Sequence, residues 1–208
     1  MKITVLLVLG VVFIAWNVWG YFASNVEQAQ YSVTKKAEGY EIRTYAPHIV
    51  AQATVTGDYE EALNEGFRII AGYIFGGNTA KQKVAMTAPV TEQAVSENVA
   101  MTAPVTASLE AGPRTVAFVM PKAYTLDTLP IPNDSRVKLV PMPERTMAVV
   151  TFSWYRTTSR VEEMEKELLE LVKRDGLTVI GTPIYAGYNA PWTPPWLLRN
   201  EVMVEVEK

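Results

Sequence analysis

From Tyr31 onward the chain switches between a two-residue and a 3.6-residue rhythm of apolar and polar positions. Three short extended segments come first: Tyr31 to Ala37, Tyr40 to Tyr45 and His48 to Thr56. In the third, Ile49, Ala51, Ala53 and Val55 alternate with the more polar set Val50, Gln52, Thr54 and Thr56, which predicts a strand with two unlike faces. Gly39 and Ala46-Pro47 break the segments apart. Asp58 then opens a predicted helix that runs to Phe75. Asp58 and Glu61 have capping-box spacing, so one side chain can satisfy a free N–H of the first turn. Leu63, Phe67, Ile70 and Ile74 follow at helical intervals as one apolar stripe. Gly76-Gly77-Asn78 ends it.

The next stretch holds an exact duplication. VAMTAPVT spans Val84 to Thr91 and returns from Val99 to Thr106. Two copies of eight residues are too few and too short for a repeat array, so they are predicted to be two paired strands of one sheet. Thr115 to Met120 is another strand. Pro121 to Pro132 is proline-rich and should be extended, not helical. Val137 to Val140 and Thr146 to Trp154 read as strands. Ser159 and Glu162 repeat the capping-box spacing, and Val161, Met164, Leu168, Leu171 and Val172 form a second stripe. Lys173 and Arg174 suit the last turn and Gly176 the cap. Leu177 to Tyr188 is extended, broken at Gly181 and Pro183. Val202, Val204 and Val206 alternate in a last strand. Strand–helix–strand thus occurs twice, at 48–91 and at 146–188. This predicts an α+β fold of two pseudo-symmetric halves, each with a helix on a mainly antiparallel sheet.

The N-terminus departs from both rhythms. Ile3 to Ala23 is apolar except for Thr4, Asn17 and glycines. As a helix it would span roughly 30 Å, one bilayer core. Lys2 precedes it, Glu27 is the first charge after it, and Trp16, Trp19 and Tyr21 cluster near its far end. The expected arrangement is a single-pass anchor in an inner or plasma membrane, with the N-terminus cytoplasmic and the remainder extracytoplasmic. The alternative is a cleaved signal peptide and a secreted product. Signal peptides have shorter apolar cores and end at small-x-small sites, and Ala23-Ser24-Asn25 is a poor one. Segments 1–24, 25–30 and 31–208 are read as anchor, linker and folded domain.

Composition narrows the chemistry. The 208 residues are 49% hydrophobic and 20% charged with net charge -3, a globular balance without the clustered Lys and Arg of a nucleic-acid footprint. There is no Cys, which removes disulfides, thiolate metal sites and a Cys nucleophile. GxSxG, HExxH and P-loop motifs are absent, so a binding module is expected and no catalytic residue is nominated.

Several ordered segments resemble the SOUL haem-binding protein family. They are Tyr40-Glu41-Ile42-Arg43, the doubled Val-Ala-Met-Thr-Ala-Pro-Val, Phe118-Val119-Met120-Pro121 with Tyr124-Thr125-Leu126, Leu129-Pro130, Asp134, Arg136-Val137 and Phe152-Ser153. The C-terminal block is Tyr188 to Trp196 with Arg199-Asn200-Glu201-Val202. The resemblance covers Tyr31 to the C-terminus. It implies a distorted antiparallel β-barrel flanked by two helices, and haem or another tetrapyrrole held in an apolar cleft for buffering, transport or sensing. A module for another apolar small molecule and a tetrapyrrole-modifying enzyme are the alternatives. Some animal members carry a His before the Tyr that ends the Tyr-Glu-Ile-Arg strand. Thr44 stands there here, so that iron ligand does not carry over. Trp154 and Gly187 also depart from the family pattern.

A haem site needs an apolar slot, partners for two propionates and in some cases an axial ligand. His48 is the only His and the one imidazole candidate for the iron; it also suits a plain strand start. Met86 and Met101 are pliant, polarizable candidates for the pocket wall, or ordinary core. Tyr185 and Tyr188 could stack on a porphyrin or reach its iron, or simply pack with bonded hydroxyls. Lys83 could pair with a propionate, or stay solvated.

Overall fold

The computed structural model of the protein describes residues 2–23, 27–80, 83–85, 87–94, 112–190 and 192–207. An apolar helix, α1 (Lys2–Ala23), precedes the body of the molecule. Then follow β1 (Tyr31–Lys36), β2 (Glu41–Tyr45), β3 (His48–Gly57), α2 (Tyr59–Ile74), β4 (Val90–Ala94), β5 (Gly112–Val119), β6 (Lys138–Met142), β7 (Arg145–Phe152), α3 (Thr158–Arg174), β8 (Val179–Gly187) and β9 (Asn200–Val206). The fold is α+β, with every strand pair antiparallel.

Local chemistry places the helices. Asp58 caps α2, its Oδ1 accepting from the Glu61 N–H at 2.9 Å. Phe75 ends the helix and Gly76, at φ 109°, turns the chain away. For α3 the cap is Thr157, whose hydroxyl accepts from Arg160 N–H, two residues before the expected Ser159. A Thr two positions earlier offers the same oxygen to the same kind of free N–H, so the spacing signal alone does not separate them. Gly176, at φ 72°, follows the end of α3 as expected.

The sheet has nine strands in the order β1-β2-β7-β9-β8-β4-β5-β3-β6. The barrel expectation is corrected here, because the sheet is not closed. β1 and β6 are edges, and each resists further pairing. β1 is bulged between Val33 and Lys35 and holds five exposed residues, among them Lys35 and Lys36. β6 carries Pro141, which cannot donate to a ladder. The order also carries an internal repetition. Reading outward from the central β8–β4 pair, β9, β7 and β2 on one side match β5, β3 and β6 on the other. The strand–helix–strand units β3–α2–β4 and β7–α3–β8 occupy equivalent places. β2 precedes the first unit in sequence but pairs with β7 of the second, and β6 precedes the second but pairs with β3 of the first.

Where the first octapeptide copy enters the sheet, its ladder partners are other strands. Among the described residues of the first copy only Val90 and Thr91 belong to a strand, and both sides of β4 are taken there, by β5 and β8. No third strand can pair at those residues. The second copy lies outside the described residues. Likewise Pro121 to Pro132 is a series of turns, closed by Tyr124 N–H to Pro121 O and Leu129 N–H to Thr125 O, rather than one extended stretch.

Both faces of the sheet are apolar. Ala51, Val116, Phe118, Ala148, Val150, Val202 and Val204 lie under the two helices, α2 against β3 and β5 and α3 against β7, β8 and β9. The alternate residues Val50, Ala117, Val119, Met147, Val149 and Met203 form a second cluster without a helix over it. Tyr45 of β2 joins that cluster beside Val50 of β3, although these strands are second and eighth in the order. The sheet therefore curls until distant strands cover each other's inner side chains, which removes that face from water.

One glycine sets how closely a helix lies on this sheet. A Cβ at Gly66 of α2 would meet Val116 Cγ2 at 2.5 Å, while a Cβ at Gly72 would meet nothing within 4 Å. Gly66→Ala is expected to destabilise by about 1–3 kcal/mol through overpacking. Gly72→Ala is expected to stabilise by about 0.5–1 kcal/mol, through lost chain entropy in the unfolded state. Urea denaturation of both variants checks the opposite signs.

Candidate functional site

The connection after β8 and the start of β9 stand across from α2, and the gap between them is a cleft of about 390 Å³. Leu63, Asn64 and Phe67 line it from α2, Val90 from β4, and Tyr185, Tyr188, Ala190 and Leu198 from the opposite wall. Tyr155 and Arg156, from the β7–α3 connection, complete it. Phe67 is 39% exposed, with its ring 5.2 Å from that of buried Phe118. Tyr155 is 56% exposed. Arg156 is the one charged residue among the described lining, and no carboxylate among the described residues lies within ion-pair distance of it.

The two tyrosines of the cleft wall are held by adjacent residues of β9. Tyr185 O–H donates to Asn200 Oδ1 at 2.7 Å, and Asn200 Nδ2 donates to Trp154 O at 2.8 Å. Tyr188 O–H donates to Glu201 Oε2 at 2.7 Å. Burial pushes the Tyr185 phenol far above its ordinary value. Burial, followed by the negative Glu201, does the same to Tyr188. Both rings therefore remain neutral and keep their hydroxyls turned to these partners.

Glu201 is wholly buried and anchors a charged network. Its Oε1 accepts from Arg43 at 2.9 Å and from Arg199 at 2.7 Å, and from Thr151 at 3.3 Å. The Arg199 guanidinium lies 4.0 Å over the Tyr188 ring and the Arg43 guanidinium 4.5 Å over Tyr31.

A second buried pair lies behind Tyr185. Glu92, its cross-strand neighbour on β4, accepts from Arg114 at 2.7 Å, and both residues are buried. Burial raises the Glu92 carboxyl against the pull of Arg114. Glu165 of α3 is pushed up to about 7, by burial first and then by the negative Glu92.

The structure divides the residues singled out from the sequence. Tyr185 and Tyr188 share the cleft. His48 is elsewhere, in a cavity of about 430 Å³ with Ile49, Met120, Tyr124, Leu126 and Met142. It also lines a smaller pocket on the helix-free face with Tyr45, Met147 and Met203. Its Nδ1 is 2.8 Å from the Ala46 carbonyl, which can only accept, so Nδ1 carries a proton and in the neutral ring the lone pair is on Nε2. Lys83 is exposed and lines none of these cavities. Met86 and Met101 lie outside the described residues. Among the described residues no group of three His, Asp or Glu could hold a metal ion.

Phe67, Tyr155, Arg156 and Asn200 were not nominated from sequence. Phe67 falls on the apolar stripe of α2, where the helix period does not separate a cleft residue from a core one. Tyr155 and Arg156 sit in a connection, where no periodicity marks them, and Asn200 at a strand start as a polar residue among valines.

A small α+β domain with a cleft at one helix, the Tyr185 and Tyr188 hydroxyls of its wall bonded to β9, defines the class. The chain belongs to the SOUL heme-binding protein family, whose pattern matches residues 26–205. Human heme-binding protein 2 is 29% identical over 155 residues, covering 73% of this chain and 71% of the human protein. The mouse protein of the same name is 27% identical over 175 residues, covering 80% of this chain and 81% of its own. Among solved structures, the EcmrR C-terminal domain superposes with a TM-score of 0.58 at 12% identity, covering 86% of this chain and 98% of that one; this likeness is one of fold.

Two predictions follow from the buried charges. Arg43→Met strips a partner from a carboxylate with no access to water and should cost about 3 kcal/mol in chemical denaturation. Arg68→Met, which breaks the exposed Glu65 pair, should leave the midpoint unchanged. For Glu165 the folded value near 7 lies above the ordinary 4.5. Between these values the folded chain holds more protons than the unfolded one, so stability falls as pH rises through the window. Glu165→Gln should flatten that slope and stabilise the protein above neutral pH, as followed by urea midpoints across the window.

Proposed function

We propose that this protein binds haem or a related tetrapyrrole in the cleft between α2 and the β8–β9 connection, as a binding module that buffers, carries or senses its ligand. The observation that carries the reading is the cleft's make-up. Two exposed rings, Phe67 and Tyr155, offer π-faces to a planar ligand, and Arg156 offers a cation to a propionate. The volume lies in the range of small-molecule pockets. Family membership and the names of the human and mouse relatives support the same ligand class. Tyr185 and Tyr188 act here as neutral walls and not as iron ligands, because their hydroxyls already donate to Asn200 and Glu201.

A second reading has its own observation. The Ala46 carbonyl holds the His48 proton on Nδ1, so the neutral ring presents the Nε2 lone pair with which an imidazole ligates iron. In that reading the ligand enters the cavity beside His48, with Lys122 as its cation.

α1 is the one described helix long and apolar enough to cross a membrane. We read it as an anchor with Lys2 on the cytoplasmic side and the domain on the other, the orientation that the positive-inside tendency favours.

Haemin titrated into the full-length protein in detergent tests these readings. A saturable Soret shift is expected, weakened up to about tenfold by Phe67→Ala or Tyr155→Ala and weakened by Arg156→Glu, with His48→Ala leaving the spectrum unchanged. Absence of saturation overturns haem binding. Loss of the shift in His48→Ala alone moves the site to the second cavity.

A further inference from the structure

One end of α1 rests on the protein's own surface, and the contact is specific. Trp16 Nε1 donates to Trp192 O at 2.9 Å, and Trp196 Nε1 donates to Asn17 Oδ1 at 3.0 Å. Phe13 and Trp16 each bring their rings within 5.6 Å of Trp196. At Gly20 a Cβ would meet Pro194 Cδ at 2.5 Å, so the close approach depends on glycine. Asn17 interrupts an apolar helix, and its amide is satisfied at both ends: Nδ2 donates to Phe13 O and Oδ1 accepts from the indole. A polar side chain at membrane depth needs this kind of pairing.

The segment that α1 touches is apolar on its outer side. Trp192 is 59% exposed, Trp196 41% and Leu197 39%. Trp154 and Tyr155 continue the patch, at 55% and 56%. Trp154 N–H bonds Pro195 O at 3.0 Å, tying the two parts together. Its backbone sits at φ 81°, in the left-handed region that a bulky residue rarely adopts. That conformation has a cost, yet the indole it presents fills no core. Four indole and phenol rings and a leucine, with Arg156 beside them, match the headgroup level of a bilayer, where amphipathic aromatics settle and a guanidinium meets phosphate. The helix supplies the scale. At about 1.5 Å per residue, Trp16 lies roughly 10 Å inside the outer end of α1, the depth to which interfacial protein faces bury their apolar side.

We propose that the face made by Trp154, Tyr155, Trp192, Trp196 and Leu197 lies in the interfacial layer of the bilayer that α1 crosses, and that the cleft opens onto it. Tyr155 and Arg156 belong both to this surroundings and to the cleft lining, together with neighbouring Leu198. An apolar ligand dissolved in lipid then reaches the cleft without crossing water. The surface rests on the α1 contact and on the anchor reading of α1; the entry route rests also on the cleft reading above.

The full-length chain in phosphatidylcholine–phosphatidylglycerol vesicles tests it. With lipids brominated near the headgroup end of the acyl chain, the quenched share of tryptophan emission should drop in Trp154→Phe and in Trp192→Phe, as it does in Trp19→Phe of the anchor. If only Trp19→Phe lowers it, the domain stands clear of the bilayer and the proposal fails. Blue-shifted Trp154 emission that labelled lipid does not quench means a second copy or another protein covers the patch, which also overturns it. For the route, Trp154→Asp with Trp192→Asp should slow haemin transfer from vesicles at least about tenfold while leaving haemin affinity in detergent unchanged. Equal transfer rates overturn the route. Failure to bind haemin in detergent removes the cleft reading and leaves the quenching result to decide the surface.

Discussion

The buried carboxylate of Glu201 is the constraint on which the rest of the molecule depends. An ion of this kind loses several kcal/mol of hydration and is tolerated only when its oxygens are fully bonded. Here the bonds come from Arg43 on β2, Thr151 on β7, Tyr188 after β8 and Arg199 just ahead on the chain. Satisfying one side chain thus fixes three strands and a connection relative to each other. Because side chains alternate along a strand, Asn200 faces the helices and takes Tyr185 and the Trp154 carbonyl. Two consecutive residues of β9 therefore set both tyrosine walls of the cleft and the connection that carries Tyr155.

The sheet's second constraint is that it has no wet face. Two helices are enough to cover one side, and the other must cover itself. Curling brings β2 and β3 together across the inside, and the exchange of β2 and β6 between the two strand–helix–strand units locks the curl. Closure into a barrel does not follow from this. A ladder between the edges would need unpaired N–H groups on flat strands, and the edges here are bulged, lysine-bearing or interrupted by proline.

Much of the local structure was legible. The Asp58 cap, the stripes of α2 and α3 and the Val202–Val206 alternation each report geometry that a segment imposes on itself. A local signal is ambiguous where two residues or segments can meet it. Ser159 and Thr157 offer equivalent caps, and VAMTAPVT carries no mark of the strands β5 and β8 that pair with its Val90 and Thr91. The site was the least legible part. Phe67 obeys the helix period yet stays 39% exposed at the cleft, Asn200 obeys the strand period of β9 as a polar residue among valines, and Arg156 sits in a connection that has no period.

The sequence alone determined the element types, the two-unit plan, the apolar N-terminal helix and the family to which the chain is similar, because each rests on residues close in the chain or on an ordered series of motifs. Tertiary structure decided which side chains meet. It separated His48 from Tyr185 and Tyr188, joined Arg43 to Glu201 across the sheet and set Trp16 against Trp192 and Trp196. Those meetings depend on strand order and on the curl of the sheet, which are global consequences of burying two apolar faces at once and leave no periodic trace in any one segment.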